Sequence, residues 1–165
     1  MFNIFSYTHR QRAFLVAGIC LAGVALAVVL QHLLGWEPCP LCIMQRLALM
    51  GTAVFAGLTG LASRHRNTAG GLRMLASASA AGGMYAAYTQ LTLLWGPPQF
   101  SCGAGLRLFM LKMVDAMPAL EWLLDGPADC AANPNQVLGL PLAFWVISLL
   151  GLCIITLWIP YRKRK

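Results

Sequence analysis

Ala13 to Leu34 reads AFLVAGICLAGVALAVVLQHLL, 22 residues without Asp, Glu, Lys or Arg. About 20 mostly apolar residues cross the ~30 Å hydrocarbon layer of a bilayer, so this stretch predicts a transmembrane helix. Outward from it, three more runs qualify. Leu47 to Ala62 reaches spanning length if its helix starts near Ile43 and takes in Arg46; Met74 to Trp95 and Leu142 to Ile159 are long enough as they stand. The sequence therefore predicts an all-α integral membrane protein, a single four-transmembrane-helix bundle over residues 1–165. Its helices are placed at about 13–34, 43–62, 72–95 and 141–160, and its outer loops at about 35–42 and 96–140.

Composition agrees. Of the 165 residues 59% are hydrophobic and only 10% charged, with mean hydropathy +0.68. Soluble domains carry about 25% charged residues, and a disordered chain is far less apolar. The net charge of +7 invites a nucleic-acid reading, but the basic residues sit at the ends of the apolar runs, which is a membrane pattern. A cleaved signal peptide does not fit the first run: an h-region has ~7–15 residues and ends at an A-x-A-like site. Bulky Ile19 before Cys20 argues against a lipoprotein.

Charge sets the orientation. Arg10, Arg12, Arg64, Arg66, Arg73, Arg162, Lys163, Arg164 and Lys165 fall on one side of the four runs, nine of the 12 Lys and Arg. All five acids, Glu37, Asp115, Glu121, Asp125 and Asp129, fall on the other with Arg46, Arg107 and Lys112. The positive-inside rule then puts both termini in the cytoplasm. Trp36 and Trp95 mark the outer interface, Trp158 and Tyr161 the inner one. Small residues at close-packing spacing, Ala53/Gly57, Ala56/Gly60 and the run from Ala76 to Ala87, predict that the second and third helices touch through these faces. In the long outer loop, Phe109, Met110, Met113, Val114 and Met117 recur every three to four residues among charges. Leu106–Leu124 therefore predicts an amphipathic helix on the membrane surface, broken near Pro118.

The six cysteines fall into two classes. Cys20 and Cys153 lie singly in mid-helix, where free cysteine packs as a small hydrophobe. Cys39, Cys42, Cys102 and Cys130 all lie on the outer side, where disulfides persist. Cys39-Pro40-Leu41-Cys42 directly precedes a helix. Free N–H groups and the dipole at a helix N-terminus stabilise a thiolate and make it a better leaving group. Arg46, one turn beyond Cys42, is costly at that depth; it either snorkels to headgroups or holds a positive charge beside the thiolate and a bound cofactor. Zinc is a weaker reading, because a four-cysteine site usually shows two close pairs. Structural staples are another, although a C-x-x-C ring constrains little chain entropy. A small channel or transporter lacks support, since no acid or lysine lies within the spans.

Cys39-Pro40-Leu41-Cys42-Ile43-Met44-Gln45-Arg46 resembles the signature of the bacterial disulfide bond formation protein B family, DsbB. The resemblance covers the whole chain and includes Leu138-Gly139-Leu140 before the last helix. It implies a multi-pass protein of the bacterial inner membrane that reoxidises a periplasmic DsbA-like, thioredoxin-fold oxidase. The electrons pass to a membrane quinone, ubiquinone or menaquinone, without metal or nucleic acid. It also implies disulfides Cys39–Cys42 and Cys102–Cys130. The partner attacks Cys102, Cys130 attacks Cys39, and Cys42 leaves as a thiolate held by Arg46, which also contacts the quinone. Some members carry a histidine near the outer end of the third helix; here the stretch reads Ala87-Tyr88-Thr89-Gln90, so the resemblance assigns that helix no quinone contact. The alternatives are a four-helix thiol/quinone oxidoreductase of the vitamin K epoxide reductase type and a non-enzymatic scaffold with structural disulfides.

Overall fold

The computed structural model describes residues 8–36, 38–95, 136–159 and the single position 112. Helix α1 spans His9–Leu34, α2 Pro40–Leu61, α3 Arg66–Trp95 and α4 Leu142–Trp158, with a 3₁₀ turn at Ala62–Arg64 between α2 and α3. A reciprocal cap starts α1: Gln11 N donates to Thr8 Oγ1 (3.4 Å) while Thr8 N donates to Gln11 Oε1 (2.9 Å). Gly35, with φ 64°, ends it in the left-handed conformation that glycine adopts without strain. Pro40, in the first turn of α2, loses no intrahelical hydrogen bond. α2 therefore begins three residues before Ile43, and α3 begins at Arg66, so that Arg66 and Arg73 are both helical.

Between the helices, polar side chains satisfy themselves locally. The hydroxyls of Thr52, Thr59 and Thr156 each donate to the carbonyl one turn back, at 2.7, 2.8 and 2.7 Å. This back-bonding lets a hydroxyl sit in apolar surroundings without an unpaired donor.

The helices close a ring in which α2 lies between α1 and α3, and α4 packs on α3 and, along the thinnest seam, on α1. The α2–α3 contact is tight. A methyl at Gly51 would fall 2.5 Å from Ser79 Oγ, and one at Gly83 would fall 2.6 Å from Ala48 Cβ. Ser79 Oγ donates to the Ala48 carbonyl at 3.0 Å. The expectation for this contact needs one correction: Gly57 and Gly60 face α1, at Ala17 and Phe14. Positions 51 and 60 are half a turn apart at about 100° per residue. One small face of α2 thus serves α3 and the opposite one serves α1.

Among the described residues, two segments are long and apolar enough to cross a membrane, His9–Leu34 and Pro40–Arg64. α4 is apolar but has 17 residues; α3 has 30, diluted by Ala, Gly and Ser. The chain also departs from a purely helical reading. Gln136–Val137 and Leu140–Pro141 form a two-residue antiparallel ladder. Leu138 and Gly139 turn it, with φ of 56° and 79°; positive φ at both central positions matches the twist of a tight hairpin. The surface helix expected over Leu106–Leu124 lies outside the described residues, as do Cys102, Cys130 and the basic residues after position 159.

Candidate active site at the start of the second helix

Cys39 is the N-cap of α2, with extended backbone (φ −91°, ψ 162°). Its carbonyl accepts the first helical hydrogen bond, from Ile43 N at 3.1 Å. Cys42 sits in the first turn, and the helix geometry alone brings the two free sulfurs within 3.0 Å. Cys39 is buried. Its thiol, just outside the span, is pushed well above the ordinary thiol range, first by its hydrogen bond with Cys42 and then by burial.

Three neighbours complete the setting. Gln90 of α3 donates from Nε2 to Cys42 Sγ at 3.4 Å. Its orientation is fixed by Gln45, whose Nε2 donates to Gln90 Oε1 at 2.8 Å. Gln90 Oε1 also lies 3.7 Å from Cys42 Sγ, so the amide can accept from the thiol as well as donate to it. Arg46, one turn along α2, is turned inward at 7% exposure. Its Nη1 donates to Gln31 Oε1 at 2.7 Å and its Nη2 to the Ala27 carbonyl at 3.4 Å, both on α1. Inside the protein it donates to two neutral oxygens, so the snorkelling geometry is not the one adopted.

Cys42, Gln45, Arg46 and Gln31 share one wall of a cleft of about 480 Å³, within the range of small-molecule sites. The rest of the lining is largely apolar and comes from α1, Leu49 of α2, Trp36 and Pro38 between α1 and α2, α4 and the hairpin, which adds Val137 and Leu138. Trp145 Nε1 donates to the Val137 carbonyl at 3.2 Å, tying the hairpin to α4. The arrangement offers an elongated apolar ligand a greasy slot, with a cation, two amides and a thiol at one end.

Of the residues singled out in the sequence, Cys39, Cys42 and Arg46 are together here, while Cys102 and Cys130 fall outside the described residues. Gln31 and Gln90 belong to the site although no motif marks them. The one signal in the sequence was that both are polar residues at the outer ends of otherwise apolar helices. Gln90 also brings α3 against Cys42, although it does not line the cleft.

A family model described as disulfide bond formation protein DsbB matches residues 9–159. Among similar proteins, disulfide bond formation protein B of Chromobacterium violaceum is 37% identical, covering 96% of both chains. That of Azoarcus sp. is 38% identical over 94% of this chain and 95% of its own. The Verminephrobacter eiseniae protein is also 38% identical, over 95% and 90%.

Proposed function

This chain belongs to the DsbB family of membrane-associated disulfide bond formation proteins, and from that premise we propose that it reoxidises a periplasmic DsbA-like dithiol oxidase and passes the electrons to a membrane quinone. In this reading all four helices span the bacterial inner membrane with both termini in the cytoplasm, as the charge asymmetry supports. The apolar α4 and hairpin then close the outer half of the cleft against lipid.

The reduced partner's thiolate attacks Cys102 of a Cys102–Cys130 disulfide, and Cys130 leaves. The partner's second thiol resolves the mixed disulfide and departs oxidised. Cys130 attacks Cys39 of a Cys39–Cys42 disulfide, and Cys42 leaves as a thiolate. Cys102 then displaces Cys39 from Cys130, restoring the outer disulfide and leaving Cys39 and Cys42 reduced. In this reading the N-terminal N–H groups of α2, the Gln90 amide and the Arg46 charge hold the Cys42 thiolate. A bound quinone would supply the two-electron, two-proton sink that returns Cys39 and Cys42 to a disulfide. Such a sink is needed because each ~30 mV is a tenfold change in a two-electron equilibrium, and ordinary disulfides are too weakly oxidising to regenerate a strongly oxidising one.

The fit of a quinone rests on the cleft. Arg46 and Gln31 would bind a ring oxygen, and the apolar walls between α1 and α4 would take the isoprenoid tail. The observation that carries the proposal is that Cys42 and Arg46 open together into this apolar cleft. The test is quinone reduction by the purified protein with a reduced DsbA-like partner, with Cys42→Ser as control. Partner-dependent quinone reduction that vanishes in the control is expected. An inactive wild-type protein with both disulfides intact would leave only a scaffold.

A further inference from the structure

Cys20 and Cys153 stand outside this electron path. They are 133 positions apart, yet α1 and α4 bring their sulfurs within 3.7 Å, each the other's hydrogen-bond partner. Both are almost completely buried, at 0% and 2% exposure. They share an apolar cluster with Val16, Ala53, Leu150 and Leu157. One turn outward the same seam closes again, where a methyl on Gly23 would fall 3.2 Å from Leu149 Cδ2. Gly23, Leu149 and Ile19 line the inner end of the cleft. The pair therefore lies directly beneath the cleft floor, on the thinnest seam of the ring.

We propose that Cys20 and Cys153 are a second dithiol–disulfide couple, a membrane-buried modification site that clasps the first helix to the last when a lipid-soluble quinone oxidises it. Two S–H bonds break and one S–S bond forms. Both electrons and both protons go to the quinone, which becomes a quinol. Using this oxidant rests on the quinone reading above, whereas the placement of the sulfurs does not. A thiolate is expensive in apolar surroundings, so this couple oxidises far more slowly than Cys39 and Cys42. It is a bond made once and kept, not one cycled with each turnover. Joining positions so distant in the chain removes more unfolded-chain entropy than a short ring would, so the linked form resists unfolding more.

The experiment uses the full chain in lipid nanodiscs, incubated with decylubiquinone, quenched in acid, alkylated and digested. Mass spectrometry follows the Cys20–Cys153 and Cys39–Cys42 linkages in the same sample. A linked Cys20–Cys153 peptide is expected, forming at least tenfold more slowly than the outer linkage and absent from Cys20→Ser. The thermal midpoint in detergent should also rise by several degrees once the linkage is complete. Cys20→Ala with Cys153→Ala should fold and keep only the rise that quinone binding and the outer linkage produce, without the further several degrees. Recovery of Cys20 and Cys153 as separate alkylated thiols, while Cys39 and Cys42 are linked, overturns this inference alone. If neither pair links, the quinone reading falls and takes the inference with it.

Discussion

Cys39 and Cys42 are three residues apart in the chain and Cys20 and Cys153 are 133 apart, yet the two pairs of sulfurs come almost equally close, at 3.0 and 3.7 Å. What separates them is surroundings. The outer pair sits at a helix start, beside two amides and a guanidinium, with Cys42 on the wall of a cleft. The inner pair is enclosed by Val, Ala and Leu. A thiol becomes a useful leaving group only where its anion is stabilised. The comparison teaches that proximity makes a disulfide possible, and that polarity decides whether it turns over.

The largest effect expected from breaking this comparison is at Cys42. Cys42→Ser should lower partner-dependent quinone reduction by at least about a thousandfold, because no disulfide remains for Cys130 to open. Stopped-flow absorbance of the quinone measures it, and retained turnover would move the redox centre elsewhere. Next comes Arg46. Removing a charge-assisted hydrogen bond costs roughly 1.5–3 kcal/mol, so Arg46→Ala should lower kcat/KM for quinone about tenfold to a hundredfold while exchange at Cys102 stays normal. Arg46→Lys should restore only part, since a compact ammonium lacks the planar fork whose two nitrogens reach Gln31 and the Ala27 carbonyl.

A smaller effect sharpens the link between the outer loop and Cys39. If Leu106–Leu124 lies on the membrane, it raises the effective concentration of Cys130 at Cys39. Met113→Asp with Met117→Asp should then slow quinone reduction by about tenfold in single-turnover kinetics, with the mixed disulfide at Cys102 forming at its normal rate. If that first step fails instead, the segment is a docking face for the partner. Gln90→Leu removes one donor to Cys42 and strands the Gln45 amide. A hydrogen bond is worth about 1 kcal/mol, so quinone reduction should slow roughly five- to tenfold; an unchanged rate would leave Gln90 a packing residue. The smallest effect belongs to the inner pair. Cys20→Ser with Cys153→Ser should keep turnover within about twofold of the parent, and a loss comparable to that of Cys42→Ser would erase the distinction drawn above.

Legibility in the sequence follows the range of each interaction. Four helices were readable because run length and charge are local properties of the chain. Cys39, Cys42 and Arg46 were readable as one constellation because helix geometry brings residues three and four apart onto one face. Helix partners were another matter. A span that is apolar all round has no stripe to mark its buried face, since lipid and protein accept the same side chains. Nothing local says that Gly51 meets α3 while Gly60 meets α1, that Gln31 and Gln90 turn toward Arg46 and Cys42, or that two scattered cysteines share a seam. Those pairings were decided by the packing of the whole ring, where close backbone approach and satisfied polar groups select one rotation of each helix from many that hydrophobicity alone would allow.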